Sequence, residues 1–256
     1  MNFTAASTAN VIFFDNFAGT TLSSDWMVIS RHGEYAQNET ECNIPQQIAV
    51  NNGVTITTAA ESWTCGDFNL DGTVRHTPSP WPYITGDMQW TSFSITYGTV
   101  EARAKIPPQS TALWPALWLL GSNCQATNPY TADTGVGTCR NPGSIGYAEI
   151  DFPECYGGTP STWCQFHVAN PSFGMGGGCD ATFPLDRNWH IFTLAWTPTS
   201  ITPALDGTIV STCNTAMTYR PMFFIMQIQT GGAGGTPNNA LLPATLAVDY
   251  VRVTQP

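Results

Sequence analysis

The feature that most constrains the fold of this chain is a series of short runs rich in β-branched and aromatic residues, separated by clusters of turn-forming residues. Several runs alternate polar with apolar positions, as strands with one buried face do, and no comparable helical periodicity is found. The clearest runs are NGVTITTAA, FSITYGTVEARAKI, HIFTLAWT, SITPALDGTIV, FFIMQIQT and TLAVDYVRV. Many short strands with Gly, Pro, Asn and Ser between them predict an all-β sandwich or barrel.

The chain is expected to form one domain over residues 1–256, because no low-complexity linker divides it and this length is sufficient for one large β domain. Two segments, 122–146 and 170–186, are too irregular for strands and are predicted to be long loops. Long loops in a compact domain usually have a function or are tied down by other contacts.

The charge of the chain argues against polyanionic partners. Lys105 is the only lysine, there are seven arginines, and the formal net charge is -10. Such a chain repels phosphate backbones and anionic lipid headgroups, and no apolar stretch is long enough to suggest a membrane span. We therefore expect no nucleic acid and no membrane as partners, and a monomer.

Eight cysteines without a CxxC pair indicate disulfides rather than a zinc ribbon or a redox motif. Cys124 and Cys139 lie near the two ends of the first irregular segment and are predicted to staple it. Disulfides imply an oxidising compartment, so we expect a secreted protein. The N-terminus MNFTAASTAN lacks the basic and apolar regions of a signal peptide, and we expect that such a peptide has been removed.

Three carboxylates, Glu149, Asp151 and Glu154, lie within six residues of a chain in which only 10% of residues are charged. Their segment, YAEIDFPECYG, is otherwise largely apolar. In a strand, Glu149 and Asp151 share one face while Ile150 and Phe152 take the other. Glu154 has the opposite parity, so a β-bulge after Asp151 is needed to bring the three acids to one side.

Pro153 supports this bulge, because proline in a sheet is largely confined to edges and bulges. The α-carbons of Glu149 and Glu154 would then be about 13 Å apart, and their side chains could lean toward each other. Carboxyl groups about 5 Å apart fit a retaining glycosidase, whereas an inverting pair needs roughly 6.5–9.5 Å. The spacing permits retention and leaves inversion open.

A solvated acidic face or a calcium site would also account for a cluster of acids on a strand. The apolar neighbours and the small number of acids elsewhere argue against a solvated face. The absence of an Asp-x-Asp-x-Asp-Gly loop around the cluster argues against calcium. Catalysis is therefore the favoured interpretation.

The motif Glu-Ile-Asp-Phe-Pro-Glu at 149–154 resembles the E-x-D-x-x-E signature of glycoside hydrolase family 16, in the bulged form of laminarinase-like β-1,3-glucanases. Four further segments resemble family segments in the right order, and the resemblance extends from about Phe14 to Val253. These segments are YGTVEARAKIPPQSTALWPALWLLG (97–121), WTPTSITPALDG (196–207), PMFFIMQIQTGG (221–232) and VDYVRV (248–253).

The resemblance implies a β-jelly-roll sandwich of the concanavalin or lectin-like type, with two antiparallel sheets and a substrate cleft across the concave face. It implies that Glu149 is the nucleophile and Glu154 the general acid/base, with Asp151 between them. A neighbouring ionised carboxylate raises the pKa of a proton donor, which agrees with these roles. No cofactor is implied for catalysis.

The resemblance also implies roles for one histidine and two tryptophans. His167 lies where family members carry a histidine near the acid/base residue, although a single histidine is more often structural. Trp114 and Trp118 share a face if that segment is extended. A buried core is the alternative for both, but the resemblance places them along the cleft, where their rings would stack on sugars.

The remaining implied positions concern substrate and metal. Asn38, which precedes Glu39, and Gln227, which stands where the family commonly has asparagine, are candidate sugar contacts. Asp87 stands where relatives usually have arginine, which is a departure from the family pattern. The last implied site resembles a structural calcium site, in which one Ca²⁺ would be held by Asp249, the backbone of Gly53 and Asp15.

The leading hypothesis is a secreted retaining endo-β-glucanase that hydrolyses β-1,3-glucan or mixed β-1,3-1,4-glucan by double displacement. A transglycosylase acting on β-glucan or a related cell-wall polysaccharide would use the same chemistry. A non-catalytic carbohydrate-binding sandwich is an alternative from another class, because fold does not fix function. The intact set of three acids argues against a pure binder.

Overall fold

The computed structural model describes residues 9–34, 37–69, 73–91, 93–131, 148–156, 163–169, 179–214 and 220–256. Within these ranges the chain consists mainly of strands, joined by turns and short 3₁₀ segments. The strands are β1 (Asn10–Asp15), β2 (Trp26–Val28), β3 (Glu41–Asn43), β4 (Ile48–Val50), β5 (Val54–Thr58), β6 (Trp63–Phe68), β7 (Val74–Trp81), β8 (Tyr83–Thr85), β9 (Asp87–Trp90), β10 (Gly98–Lys105), β11 (Trp114–Gly121), β12 (Glu149–Glu154), β13 (Trp163–Ala169), β14 (Ala181–Pro184), β15 (His190–Trp196), β16 (Ile201–Leu205), β17 (Thr208–Ile209), β18 (Met222–Gln229) and β19 (Ala244–Gln255). The 3₁₀ segments are Pro45–Gln47, Gln109–Thr111, Ser122–Cys124, Gly232–Gly234 and Asn239–Leu241.

Two large sheets form a sandwich. The back sheet has the strand order β17-β16-β15-β10-β19-β5-β4, with β1 also paired to β19. The front sheet has the order β14-β13-β12-β11-β18-β9-β2. Every strand pair in these two sheets is antiparallel, which confirms the predicted all-β sandwich.

The core lies between the two sheets and follows from the alternation seen in the sequence. In β10 every second residue is buried, beginning with Gly98, and the intervening residues are partly exposed. From the front sheet, Phe152 contacts Phe192 of the back sheet with ring centroids 5.6 Å apart. Strands β11 and β18 are buried along their whole length because side chains also cover their second face. The acids of β12 lie on that second face, directed away from the back sheet.

Two further sheets have two strands each. Strand β3 pairs in parallel with β8, and β6 forms an antiparallel hairpin with β7. The Cys42–Cys65 disulfide joins β3 to β6. This hairpin was not predicted from the sequence.

The described residues contain three complete disulfides, Cys42–Cys65, Cys155–Cys164 and Cys179–Cys213. Cys124 is also disulfide-bonded, but Cys139 lies outside the described residues, and so does the predicted bridge between the two. The predicted use of cysteines in disulfides is thus confirmed for the seven cysteines that the structure describes.

The prediction that 170–186 is wholly irregular is wrong at its C-terminal end, where β14 forms a four-residue edge strand beside β13. A strand this short, ending in Pro184, gives little alternation to detect. Most of 122–146 and residues 170–178 lie outside the described residues. Among the described residues, no helix combines the length and apolar character needed to cross a membrane.

Candidate active site

Strand β12 carries the three acids, and its register against β11 contains an extra residue. Asp151 lies opposite Trp118, and Glu154 lies opposite Ala116. Three steps along β12 therefore match two steps along β11. Because Trp118 and Ala116 share a face and directly paired residues point to the same side, Asp151 and Glu154 lie on one face.

The register against β13, on the other side of β12, shows the same shift. Asp151 lies opposite His167, and Glu154 lies opposite Gln165. The extra residue falls at Phe152–Pro153, whose peptide bond is cis. The bulge predicted from the parity of the acids is confirmed, and it brings acids and cleft residues to one face of the front sheet.

Glu154 is held by side chains from two neighbouring elements. The indole Nε1 of Trp114 donates a hydrogen bond to Oε1 at 2.9 Å, and Nε2 of Gln165 donates to Oε2 at 2.7 Å. Gln165 also contacts the hydroxyl of Tyr156 at 2.9 Å. Burial, together with the charge of Glu154, raises the pKa of Tyr156, so this hydroxyl stays protonated. Both carboxyl oxygens of Glu154 therefore have a fixed direction.

Asp151 is buried beneath the other acids, with 4% of its surface exposed. Burial, followed by the charges of Glu149, Glu154 and Asp180, raises the pKa of Asp151 well above its ordinary value. Its Oδ2 has no hydrogen-bond partner among the described residues. A neutral carboxyl at this position limits the repulsion among the acids.

Glu149 is one part of a row that also contains His167 and Asp180. Nε2 of His167 lies 3.9 Å from Oε1 of Glu149, and Nδ1 lies 2.9 Å from Oδ2 of Asp180. Asp180 also accepts a hydrogen bond from the backbone N–H of Val168 at 3.2 Å. One ligand-type atom each from Glu149, Asp151 and His167 lies within 4.8 Å of the others.

Asp180 was not predicted from the sequence as a site residue. It fixes the ring of His167 and directs the Nε2 atom toward Glu149. The signal available in the sequence was weak: Asp180 is a single acid directly after Cys179, in a segment that we expected to be irregular. The Cys179–Cys213 disulfide anchors this position.

The structure places both predicted tryptophans on the face of the acids: Trp118 is paired with Asp151, and Trp114 is four residues before Trp118 on β11 and therefore shares its face. Trp114 is 9% exposed and Trp118 is 6% exposed. Trp114 has a role that was not predicted from the sequence, because it binds Glu154. Stacking of sugars on either ring stays a prediction.

Gln227 lies in the same cross-strand row as Glu154. It is paired with Ala116 on one side and with Asp87 on the other, so its buried side chain points to the face of the acids. Asp87, the departure from the family pattern, is thus a direct neighbour of Gln227 in the sheet. The row brings together Glu154, Gln227 and Asp87.

Asn38 lies on a segment that borders this face. Its φ of 58° is left-handed, a conformation that asparagine tolerates better than most residues. Its backbone carbonyl accepts a hydrogen bond from Gly232 at 3.0 Å, and its side chain is exposed. The next residue, Glu39, accepts a hydrogen bond from Gln229 at 2.7 Å, which ties the segment to β18.

A second buried acid, Glu41, completes the attachment of this segment. Its Oε2 accepts hydrogen bonds from the backbone and the hydroxyl of Thr230 at 2.9 and 2.8 Å. Burial, followed by the charge of Glu39, raises the pKa of Glu41 well above its ordinary value. We interpret Glu41 as a neutral structural acid.

The residues predicted to bind calcium have protein partners. Asp249 Oδ2 pairs with Nη1 of Arg103 at 2.8 Å. Asp15 accepts hydrogen bonds from the backbone of Phe17 at 2.7 Å and the indole of Trp26 at 2.8 Å. Gly53 adjoins Val248 and Asp249. These contacts give a calcium site no support, and it stays a prediction.

The arrangement has the parts required for chemistry at an acetal carbon. Two carboxyl groups on one face, Glu149 and Glu154, flank a third, Asp151, whose pKa is raised by burial. One can attack an electrophilic carbon while the other delivers a proton to the departing oxygen. Each has a positioning group, His167 beside Glu149 and Trp114 beside Glu154.

Comparison with known proteins agrees with this chemistry. The glucan endo-1,3-beta-glucosidase A1 of Niallia circulans is 31% identical over 183 residues, which are 62% of this chain and 24% of that protein. The keratan-sulfate endo-1,4-beta-galactosidase of Sphingobacterium multivorum is 31% identical over 173 residues, 63% of this chain and 37% of that protein. The chain thus spans about a quarter to two fifths of the length of these relatives.

Among solved structures, the laminarinase catalytic domain of Thermotoga maritima superimposes with a TM-score of 0.76 at 21% identity, covering 97% of this chain and 98% of that one. This likeness concerns the fold, and it agrees with the predicted jelly roll. The model of glycosyl hydrolases family 16 matches residues 36–252. The chain therefore belongs to glycosyl hydrolase family 16.

Proposed function

We propose that this glycoside hydrolase cleaves internal bonds of β-1,3-glucan of the laminarin type, or of mixed β-1,3-1,4-glucan, with retention of anomeric configuration. The observation that carries the proposal is the bulged register of β12, which aligns Glu149, Asp151 and Glu154 on one face. A pure carbohydrate binder has no need for two glutamates on either side of a neutral third acid.

In the proposed mechanism, Glu149 attacks the anomeric carbon and Glu154 protonates the leaving glycosidic oxygen. A covalent glycosyl-enzyme forms, and water then attacks it while Glu154 takes the proton from that water. His167, held by Asp180, orients Glu149. Asp151 stays neutral between the two and limits their repulsion.

The charge of the chain favours a neutral polysaccharide. Two of the relatives named above act, by their names, on 1,3-β-glucan and on keratan sulfate. Keratan sulfate is a polyanion, and a chain of net charge -10 with Asp87 and Glu39 near the acids would repel it. A glucan carries no such charge.

Four residues around the acids are proposed to contact the sugars. Trp114 and Trp118 would present ring faces to sugar C–H groups, while Asn38 and Gln227 would bind hydroxyls.

We further propose that the enzyme is secreted, because disulfides are typical of oxidising compartments, and that it is a monomer. Catalysis by this mechanism requires no cofactor, and a structural Ca²⁺ at Asp249 stays a proposal.

The substrate is tested with laminarin, lichenan, curdlan, xyloglucan and keratan sulfate, scored by new reducing ends. We expect release of oligosaccharides from laminarin or lichenan and none from keratan sulfate. Formation of products longer than the substrate, with little release of new reducing ends, would indicate transglycosylation. Binding of glucan without any cleavage would indicate a carbohydrate-binding protein, and either outcome contradicts the proposal.

The two glutamates are distinguished by rescue with azide on an activated β-glucoside substrate. Glu149→Gly and Glu154→Ala should each lower hydrolysis at least ~100-fold. Azide should give the α-glycosyl azide with Glu149→Gly and the β-glycosyl azide with Glu154→Ala. Glu101→Gln, on the back sheet, is the control and should retain activity. The reverse pair of azide products would exchange the two roles.

A further inference from the structure

Three side chains that take no part in the proposed catalysis converge where the segment after β2 meets the β6–β7 hairpin. Nε2 of His32 lies 3.2 Å from Oδ1 of Asp67 and 3.2 Å from Nδ1 of His76. Nδ1 of His76 lies 2.7 Å from the same Asp67 oxygen. His32 and Asp67 are buried, whereas the side chain of His76 is 31% exposed.

The neighbours of this cluster orient its atoms. Nδ1 of His32 is in close contact with the carbonyl of Gly33. A carbonyl only accepts, so this nitrogen carries the hydrogen, and Nε2 is the ring atom directed at Asp67 and His76. Nη1 of Arg75 donates to Oδ2 of Asp67 at 3.2 Å, which leaves Oδ1 directed at the two imidazoles.

We propose that His32, Asp67 and His76 bind a divalent transition-metal ion, with Zn²⁺ as the best-matched ion. Ligand atoms around a tetrahedral zinc ion with bonds of 2.0–2.1 Å are about 3.3 Å apart. The two contacts of His32 Nε2 have this spacing, and the shorter His76–Asp67 contact would open by about 0.6 Å on binding.

The donor types select the ion. Two imidazole nitrogens and one carboxylate oxygen suit zinc, copper or nickel, whereas calcium and magnesium prefer oxygen ligands throughout. The orienting contacts from Gly33 and Arg75 correspond to the outer groups that fix metal ligands in proteins. The exposed side of His76 gives an ion its access route and leaves room for water as the fourth ligand.

The site would join two parts of the chain that are distant in sequence: the segment after β2, which carries His32, and the β6–β7 hairpin, which carries Asp67 and His76. Trp81 covers His32, with the two rings stacked at 5.5 Å. Gly33 packs so closely on Glu39 and Glu41 that an added Cβ would lie 2.5–2.7 Å from their atoms. A bound ion would therefore hold the β6–β7 hairpin against the segment that carries Asn38.

The site is separate from the catalytic acids. The contacts described above for Glu149 and Glu154 come from His167, Trp114 and Gln165, none of which belongs to this cluster. The ion is thus proposed as structural, and its loss should affect hairpin stability rather than bond cleavage.

The test is a titration of the untagged, metal-stripped protein with Zn²⁺, followed by calorimetry and by metal analysis after dialysis. We expect one ion per chain and an unfolding midpoint raised by about 5 °C or more at zinc concentrations far above Kd. His76→Ala should weaken binding at least ~10-fold and abolish the shift of the midpoint. His76 is partly exposed, so its replacement should leave the fold intact.

Two control variants locate the ion. His190→Ala removes a histidine whose two ring nitrogens already contact Asp206 and Asp186 at 2.7 and 2.8 Å, and it should bind zinc as the wild type does. His167→Ala tests the second cluster, at the catalytic acids, and should also retain the ion. Zinc binding that His167→Ala abolishes and His76→Ala preserves would overturn the proposal.

If His76→Ala proves unstable, NMR of the imidazole groups locates the zinc ion in the wild-type protein without any variant. Zinc should shift the ring signals of His32 and His76 in the wild-type protein and leave those of His190 unchanged. No zinc binding by the wild-type protein, or shifts confined to His167, would overturn the proposal.

Discussion

Asp151 stands where its charge is disfavoured. The carboxyl is buried, and Glu149 and Glu154 lie on the same face, so its pKa is raised well above the ordinary value of 3.8. A carboxyl whose pKa is raised on folding binds more protons in the folded state than in the unfolded one. Stability from this group is therefore present below the unfolded pKa and is lost as the pH rises toward the folded value.

We expect Asp151→Asn to unfold at a higher temperature than the wild type at pH 8, because the amide carries no charge to bury. Each kcal/mol gained in the free energy of unfolding should raise the midpoint of thermal unfolding by about 2–4 °C. The difference should shrink at pH 4, where the wild-type carboxyl is protonated, while glucan hydrolysis falls at both pH values.

Calorimetry across this pH range measures the effect, and Asp249→Asn is the matched control. Asp249 is a half-exposed acid paired with Arg103, so its replacement should not raise the midpoint. A lower midpoint for Asp151→Asn than for the wild type at pH 8 would show that the carboxylate is stabilised rather than repelled.

At the scale of elements, the bulge in β12 was predictable because it follows from parity. Glu154 cannot face the same side as Glu149 without one extra residue, and Pro153 marks the place. The β6–β7 hairpin was not predictable in this way. Its second strand, VRHTPSPW, contains two prolines that argue against a strand, and the hairpin forms as a separate two-stranded sheet with register shifts.

Deletion of Pro153 tests the bulge directly. Removing this residue restores a regular register, turns Glu154 to the core side and should lower hydrolysis at least ~100-fold. Pro153→Met keeps the residue count and should retain substantial activity, since it only restores a backbone N–H. Circular dichroism and thermal melting establish that both variants fold. Near wild-type activity in a folded deletion variant would mean that the acids are not aligned by a bulge.

At the scale of the whole molecule, the features that could be predicted are those that depend on short, local sequence patterns. The sandwich, the acids and the disulfide usage follow from local patterns. The partners of the site residues come from far along the chain: Glu39 and Gln229 are 190 positions apart, and His32 and His76 are 44 apart. No local pattern connects such residues, so Asp180, Glu41 and the His32 cluster emerged only from the fold.

The disulfides give a prediction for the chain as a whole. Eight cysteines can form four bridges, and three bridges lie within the described residues. Alkylation of the denatured, non-reduced protein should label no thiol, while prior reduction should expose all eight cysteines. Mass spectrometry gives the count. More than about two labelled thiols per chain without reduction would contradict full pairing.

Strands β1 and β19 lie side by side although they stand at opposite ends of the sequence, and Asn10 is paired directly with Gln255. Paired α-carbons in such a ladder are about 4.5–5.5 Å apart. A peptide of a few residues would join the two positions, and the exposed turn at Asp206–Gly207 on the back sheet would serve to reopen the ring. The arrangement of the cleft therefore does not depend on which strand comes first in the chain. We expect a circular permutant to present the same acids to the same substrate.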